Sequence, residues 1–183
     1  MKVITTPIPE VIVFEPPVFA DDRGHFQQTY QEKQYREAGV PKSFVQDNQS
    51  YSIAKVLRGL HFQLAHPQGK LVRVTKGEVF DVAVDLRKNS PTFGQWHGEI
   101  LSAANRRQMY VPENFAHGFC VLGDCAEFLY KCTDFYHPGD EVGLIWNDPK
   151  VGVKWPIDNP LLSEKDQKLP TLAQVMDVLP SYQ

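Results

Sequence analysis

The 183-residue chain has little cysteine, no surplus of charge and no long apolar run. Its three cysteines, Cys120, Cys125 and Cys132, are an odd number, and their spacing fits neither a zinc ribbon nor a CxxC redox pair. They read as reduced thiols, which predicts a cytoplasmic protein. Lysine and arginine total 19 against 22 aspartates and glutamates, a formal net charge of −3. No basic surplus points to nucleic acid, and no acidic tail points to a solvating or buffering role. No apolar stretch approaches the ~18 residues that a membrane helix needs. The opening MKVITTPIPE lacks the apolar core of a signal peptide. Neither nucleic acid nor membrane is therefore expected as a partner. Neither a GxGxxG nor a GxxxxGK phosphate loop occurs, so a nucleotide would have to be held by side chains. No repeat, low-complexity segment or linker divides the chain, and its length suits one domain over residues 1–183.

What the chain does have is alternation. VIVF at 11–14, SFVQDNQSYS at 43–52, KLVRV at 70–74, EVFDVAVDL at 78–86, HGEILS at 97–102, QMYVP at 108–112, HGFCVL at 117–122 and EFLYKCTDFY at 127–136 read as strands. Turn residues separate them, among them HPQG at 66–69, LGD at 122–124 and HPGD at 137–140. Many short strands at regular spacing predict a mainly β protein, an antiparallel sandwich or barrel. One helix is expected at about 31–38, stopped by Gly39 and Pro41, and a second short helical stretch near 163–177.

VLRGLHFQ at 56–63 sets Arg58 and His61 inside an apolar strand. Such groups are uncommon in a buried strand without partners. Strict alternation puts Leu57, His61 and Gln63 on one face and Arg58, Leu60 and Phe62 on the other. The two polar residues share a site only if the strand is irregular, and Gly59 between them is where a bulge is cheap. His61, His66 and His117 do not form an HxH ligand pattern, which argues against a metal. His61 suits a general base near neutral pH. Tyr130 is a candidate acid or an ordinary barrel aromatic. Lys70 is a candidate electrophile or a solvated strand start. Ser163 and Asp166 fit a helix capping box as readily as chemistry. Arg23, with Phe19 just before it in the segment leading to RGHFQQT, suits a phosphate and a flat base.

Together FADDRGHF, VQDNQSYS, VLRGLHFQ, GKLVRVTKGEVFDVAVDLRKNSPTFGQW, YVPENFAHGF, AEFLYKCTDFY, WNDP and LSEKD resemble the dTDP-4-dehydrorhamnose 3,5-epimerase family, in family order from about residue 4 to 170. The resemblance implies a cupin-type jelly roll, a homodimer, and catalysis without metal or cofactor. It implies a dTDP-linked 4-keto-6-deoxyhexose as substrate, epimerised at C3 and C5 on the way to dTDP-L-rhamnose. By resemblance His61 is the base, oriented by Asp166, Tyr130 is the acid, and Lys70 stabilises charge on the ketone oxygen. His117 lines the same pocket. Phe19, Arg23, Gln28, Gln46, Asp47, Asn48, Arg58, Tyr136, Glu141 and Lys165 fall at substrate-binding positions. The segment RGHFQQT departs from the family's RGFFFES, putting His25 and Gln28 where an aromatic and a glutamate are usual. Enzymes of similar pattern epimerise one carbon only or act on other dTDP-ketosugars, and a non-catalytic or metal-binding cupin that recognises sugar is the reading from another class.

Overall fold

The computed structural model describes residues 1–182. It is built mainly of antiparallel strands: β1 (Lys2–Thr5), β2 (Ile12–Glu15), β3 (Val18–Asp21), β4 (Gly24–Gln27), β5 (Gln46–Ile53), β6 (Leu57–Gln63), β7 (Lys70–Asp85), β8 (Trp96–Ser102), β9 (Gln108–Val111), β10 (Phe115–Cys132) and β11 (Glu141–Gly143). The expected mainly β class and antiparallel architecture are found.

Two pairs of expected strands are fused. KLVRV and EVFDVAVDL form the single strand β7, and HGFCVL with EFLYKC forms β10. β7 and β10 pair with each other along nearly their whole length. Each changes its outer partner midway. β7 pairs first with β9 and then with β8. β10 pairs first with β6 and then with β5. The two long strands thus pass from one half of the structure to the other, and their register slips between Val121 and Ala126. Gly77 stands opposite that slip at φ +76°, where an added Cβ would collide with the Cys125 carbonyl. Only glycine fits such a backbone approach.

The apolar faces close into three clusters. One is built around Val72, Val79, Phe119 and Phe128. Another lies between Leu60, Val82 and the C-terminal Leu172, Val175 and Leu179. The third surrounds Tyr35. Tyr35 sits on α1 (Glu32–Glu37), the expected first helix, and its hydroxyl donates to Gln108 Oε1 at 2.8 Å. Gln31 caps that helix by accepting from the Gln34 N–H at 2.8 Å. The expected second helix is broken. A 3₁₀ turn at Asp166–Lys168 precedes α2 (Leu172–Val175), and a second 3₁₀ turn follows at Met176–Val178. Pro170 stands between the first two, where it cannot continue an α-helix. Strands β3 and β4 form a separate two-stranded ribbon, with Phe19 62% and Phe26 66% exposed.

Candidate active site

β6 is irregular at Gly59, the position where its sequence makes a bulge cheap. His61 pairs with His117 and Arg58 with Phe119, so three steps on β6 oppose two on β10. Gly59 has φ +105°, and a Cβ there would stand 2.5 Å from the His117 carbonyl oxygen. The bulge turns Arg58 and His61 toward one cavity of about 600 Å³, within the usual size range for a small-molecule site.

Register explains most of the lining. Gln46, Asn48 and Ser50 of β5 pair with Cys132, Tyr130 and Phe128 of β10, and Lys70 of β7 also pairs with Cys132. Paired residues share a face, so Gln46, Asn48, Tyr130 and Lys70 all reach the cavity. His117, Tyr136, Glu141, Lys165 and Asp166 complete the expected residues found there. Asp47 has the opposite parity. It faces away and pairs with Lys131 at 2.7 Å. Phe19, Arg23 and Gln28 do not line the cavity of their own chain. Arg23, at the tip of the β3–β4 ribbon, is nearly fully exposed and bonds to Asp21.

His61 Nε2 lies 2.6 Å from Asp166 Oδ1. Nδ1 is thereby left for a ligand, 4.0 Å from Glu141 Oε1. Asp166 is buried. Burial pushes its carboxyl upward, but the hydrogen bonds from His61 and Ser163 and the Gly59 amide outweigh burial and hold it below the usual carboxylate range. Ser163 Oγ accepts the Asp166 N–H at 3.0 Å, which is half of a capping box. The carboxylate that would complete the box is turned to His61 instead.

Lys70 is lowered, first by burial, with Cys132, Glu141 and Asp81 partly restoring its charge. Tyr130 is raised, first by burial and then by Cys132 and Glu141, so its phenol keeps its proton at neutral pH. Arg58 is held at the wall by Ser52 Oγ at 3.0 Å and the Tyr51 carbonyl at 3.3 Å. Glu141 is paired with Lys165.

Sequence reasoning missed Asp81. It is fully buried and faces His117 Nε2 at 2.9 and 3.0 Å. Burial raises its carboxyl, against the pull of His117 and Lys70. The signal was present: an aspartate amid the apolar alternation of EVFDVAVDL needs a buried partner. Ser52, which steadies Arg58, carried no such signal.

The arrangement offers an oriented imidazole, a protonated phenol and an ammonium group around one space. That set can remove a proton from carbon, stabilise the resulting oxyanion and return a proton.

Comparison with known proteins points the same way. A family model described as dTDP-4-dehydrorhamnose 3,5-epimerase matches residues 5–174. A dTDP-4-dehydrorhamnose 3,5-epimerase of Pseudomonas aeruginosa is 61% identical over 92% of this chain and 94% of its own. A dTDP-6-deoxy-D-glucose-3,5-epimerase of Legionella pneumophila, solved in complex with dTDP-4-keto-L-rhamnose, superposes with a TM-score of 0.97 at 49% identity, covering 100% of this chain and 98% of that one. A dTDP-4-dehydrorhamnose 3-epimerase of Streptomyces niveus is 42% identical over 89% of this chain and 81% of its own.

Proposed function

The chain belongs to the dTDP-4-dehydrorhamnose 3,5-epimerase family, and from that premise we propose that it inverts C3 and C5 of dTDP-4-keto-6-deoxy-D-glucose to give dTDP-4-keto-L-rhamnose. It is an isomerase. The observation that carries the residue assignment is the His61–Asp166 contact of 2.6 Å in one cavity with Lys70 and Tyr130.

The C4 ketone acidifies the protons on both neighbouring carbons. His61 takes one of them through Nδ1, while Asp166 holds the ring and balances the imidazolium. The electron pair moves onto the ketone oxygen, where Lys70 stabilises the enolate. Tyr130 then gives its phenolic proton to the opposite face of the same carbon. After one inversion His61 has gained a proton and Tyr130 has lost one. Both must exchange with solvent before the second carbon reacts. No oxidation occurs, and the residues assigned here account for every proton. Arg58 binds the diphosphate, Gln46 and Asn48 line the nucleotide side, and His117, Tyr136, Glu141 and Lys165 complete the wall.

We also propose a homodimer and a cytoplasmic location for a one-domain protein. The ribbon supports the dimer. It presents Phe19, Arg23 and Gln28, all at substrate-binding positions, away from the cavity of its own chain. A second copy is the simplest recipient of that surface. Light scattering on the purified protein tests the mass.

Proton NMR of the reaction in D₂O tests the chemistry. Deuterium should enter at both carbons in the wild type. Exchange at one carbon only would align the chain with the 3-epimerases. Tyr130→Phe should keep part of the exchange and lose most of the inverted product. Unchanged inversion in that variant would remove Tyr130 from the role of acid.

A further inference from the structure

We propose that His66, Asp134 and His137 form a binding site for a divalent transition-metal ion of the zinc type, separate from the catalytic cavity. One possible ligand atom from each residue lies within 4.8 Å of the others. Two imidazole nitrogens and one carboxylate oxygen suit zinc, cobalt, nickel or copper, whereas calcium and magnesium prefer oxygen alone.

The backbone around these three residues is tied from several directions. Gln63 Nε2 donates to the His66 carbonyl at 2.7 Å and to the Phe135 carbonyl at 3.1 Å. Gln63 Oε1 accepts the His137 N–H at 2.8 Å. Asp140 accepts the N–H groups of Ala65 and His66 at 2.9 and 2.8 Å. Gln68 Nε2 donates to the Asp134 carbonyl at 2.8 Å. Gly69 and Thr133 add two further bonds between the same segments. Two surface loops are thus locked side by side.

The ligand side chains, by contrast, are unengaged. Neither ring of His66 or His137 has a hydrogen-bond partner among the described residues. Asp134 uses Oδ1 to accept the Phe135 N–H at 2.8 Å, which leaves Oδ2 free. The two imidazoles stack with centroids 3.7 Å apart and planes inclined by 12°. Parallel rings cannot both aim at one ion, so they must fan apart on binding. Rotation about the side-chain bonds supplies this motion, because no hydrogen bond holds either ring. Metal–nitrogen bonds of about 2.0–2.1 Å then bring the two nitrogens to roughly 3.3 Å in a tetrahedral site, with water as the fourth ligand. None of the three ligands lines the catalytic cavity, although their chain neighbours Gln68 and Tyr136 do. The ion would cross-link the two loops at the cavity rim.

Chelator-treated protein titrated with Zn²⁺ by calorimetry, and with Co²⁺ by visible absorption, tests the site. One ion per chain with micromolar affinity is expected, together with cobalt bands of a four- or five-coordinate centre. His66→Ala/His137→Ala should weaken zinc by about 100-fold or more, and Asp134→Asn by about 10-fold. The double variant should keep the wild-type circular dichroism spectrum and, in chelator, the wild-type catalytic rate. Zinc should also raise the melting temperature of the wild type and not of the double variant. Unchanged zinc affinity in the double variant would place the ion elsewhere and overturn the proposal. Failure of the wild type to bind zinc below millimolar concentration would do the same. So would activity lost to chelator and restored by zinc, because the ion would then belong to the chemistry.

Discussion

Two histidine–aspartate pairs, one joining β6 to the 3₁₀ turn at Asp166 and one joining β10 to β7, differ mainly in contact with water. In His61–Asp166 the histidine side chain is 23% exposed and the aspartate 5%. In His117–Asp81 the values are 8% and 0%. The same chemical pair therefore meets two dielectric surroundings. Asp166 is held below the ordinary carboxylate range by His61, Ser163 and Gly59, which outweigh its burial. Asp81 is held above that range because burial wins. The first pair keeps a negative charge beside a base that faces the ligand. The second is part of the packed interior and presents only an imidazole to the cavity.

The largest expected effect is at His61. His61→Asn should lower turnover by about 10⁴-fold and abolish deuterium incorporation at both carbons, with the fold intact. His117→Asn should do far less to exchange. Equal losses in the two variants would erase the distinction between the pairs.

Next comes Asp166→Asn, which keeps size and removes charge. Turnover should fall by roughly 10³-fold, KM should change little, and the melting temperature should stay near normal. A variant with normal turnover and a lowered melting temperature would make Asp166 a capping residue only.

Asp81 should reverse that balance. Asp81→Ala should destabilise by about 3 kcal/mol, since it leaves His117 facing an unfilled polar space. Its turnover, once folded, should fall less than that of Asp166→Asn. Thermal melts with activity measured below the transition separate the two quantities.

Stability against pH sharpens the contrast. Asp166 has a lowered carboxyl, so its contribution is present above the unfolded value of about 3.9 and is lost as pH falls through the folded value. Asp81 has a raised carboxyl, so its contribution is present below about 3.9 and is lost as pH rises through the folded value. Asp166→Asn should therefore carry a small stability loss at pH 7 that shrinks at pH 3, and Asp81→Asn should be less damaging at pH 7 than at pH 3. Melting curves at the two pH values check the opposite signs.

The smallest effect concerns the alkaline limb of activity. Burial lowers Lys70 and raises Tyr130, so Lys70 loses its proton first as pH rises. The rate should begin to fall below the ordinary lysine value of about 10.4, and Lys70→Arg should move that limb upward while reducing the rate. A limb unmoved by Lys70→Arg would assign it to another group.

How much of this was legible in the sequence depends on the kind of interaction involved. The strands were legible because half-buried strands alternate. The fusion of four of them into β7 and β10 was not, because Gly77 and LGD read locally as breaks. A bulge and a turn use the same residues, and only the partner strand decides between them. The break in the C-terminal helix follows from Pro170, which the helical pattern around it outweighs in a local reading.

The site divides the same way. Amino-acid order alone made an irregularity at Gly59 cheap, and the pairing of β6 with β10 decided that it forms. Amino-acid order also determined the residue types that make proton transfer possible, and the family motifs that carry them. Tertiary structure decided which of these meet. His61 and Asp166 are 105 residues apart and come within 2.6 Å only because the turn after Ser163 folds back over β6. Strand parity, set by pairing and not by composition, sent Asn48 into the cavity and Asp47 out of it. Burial, a property of the whole fold, decided that one aspartate is held charged and the other is pushed toward its neutral form.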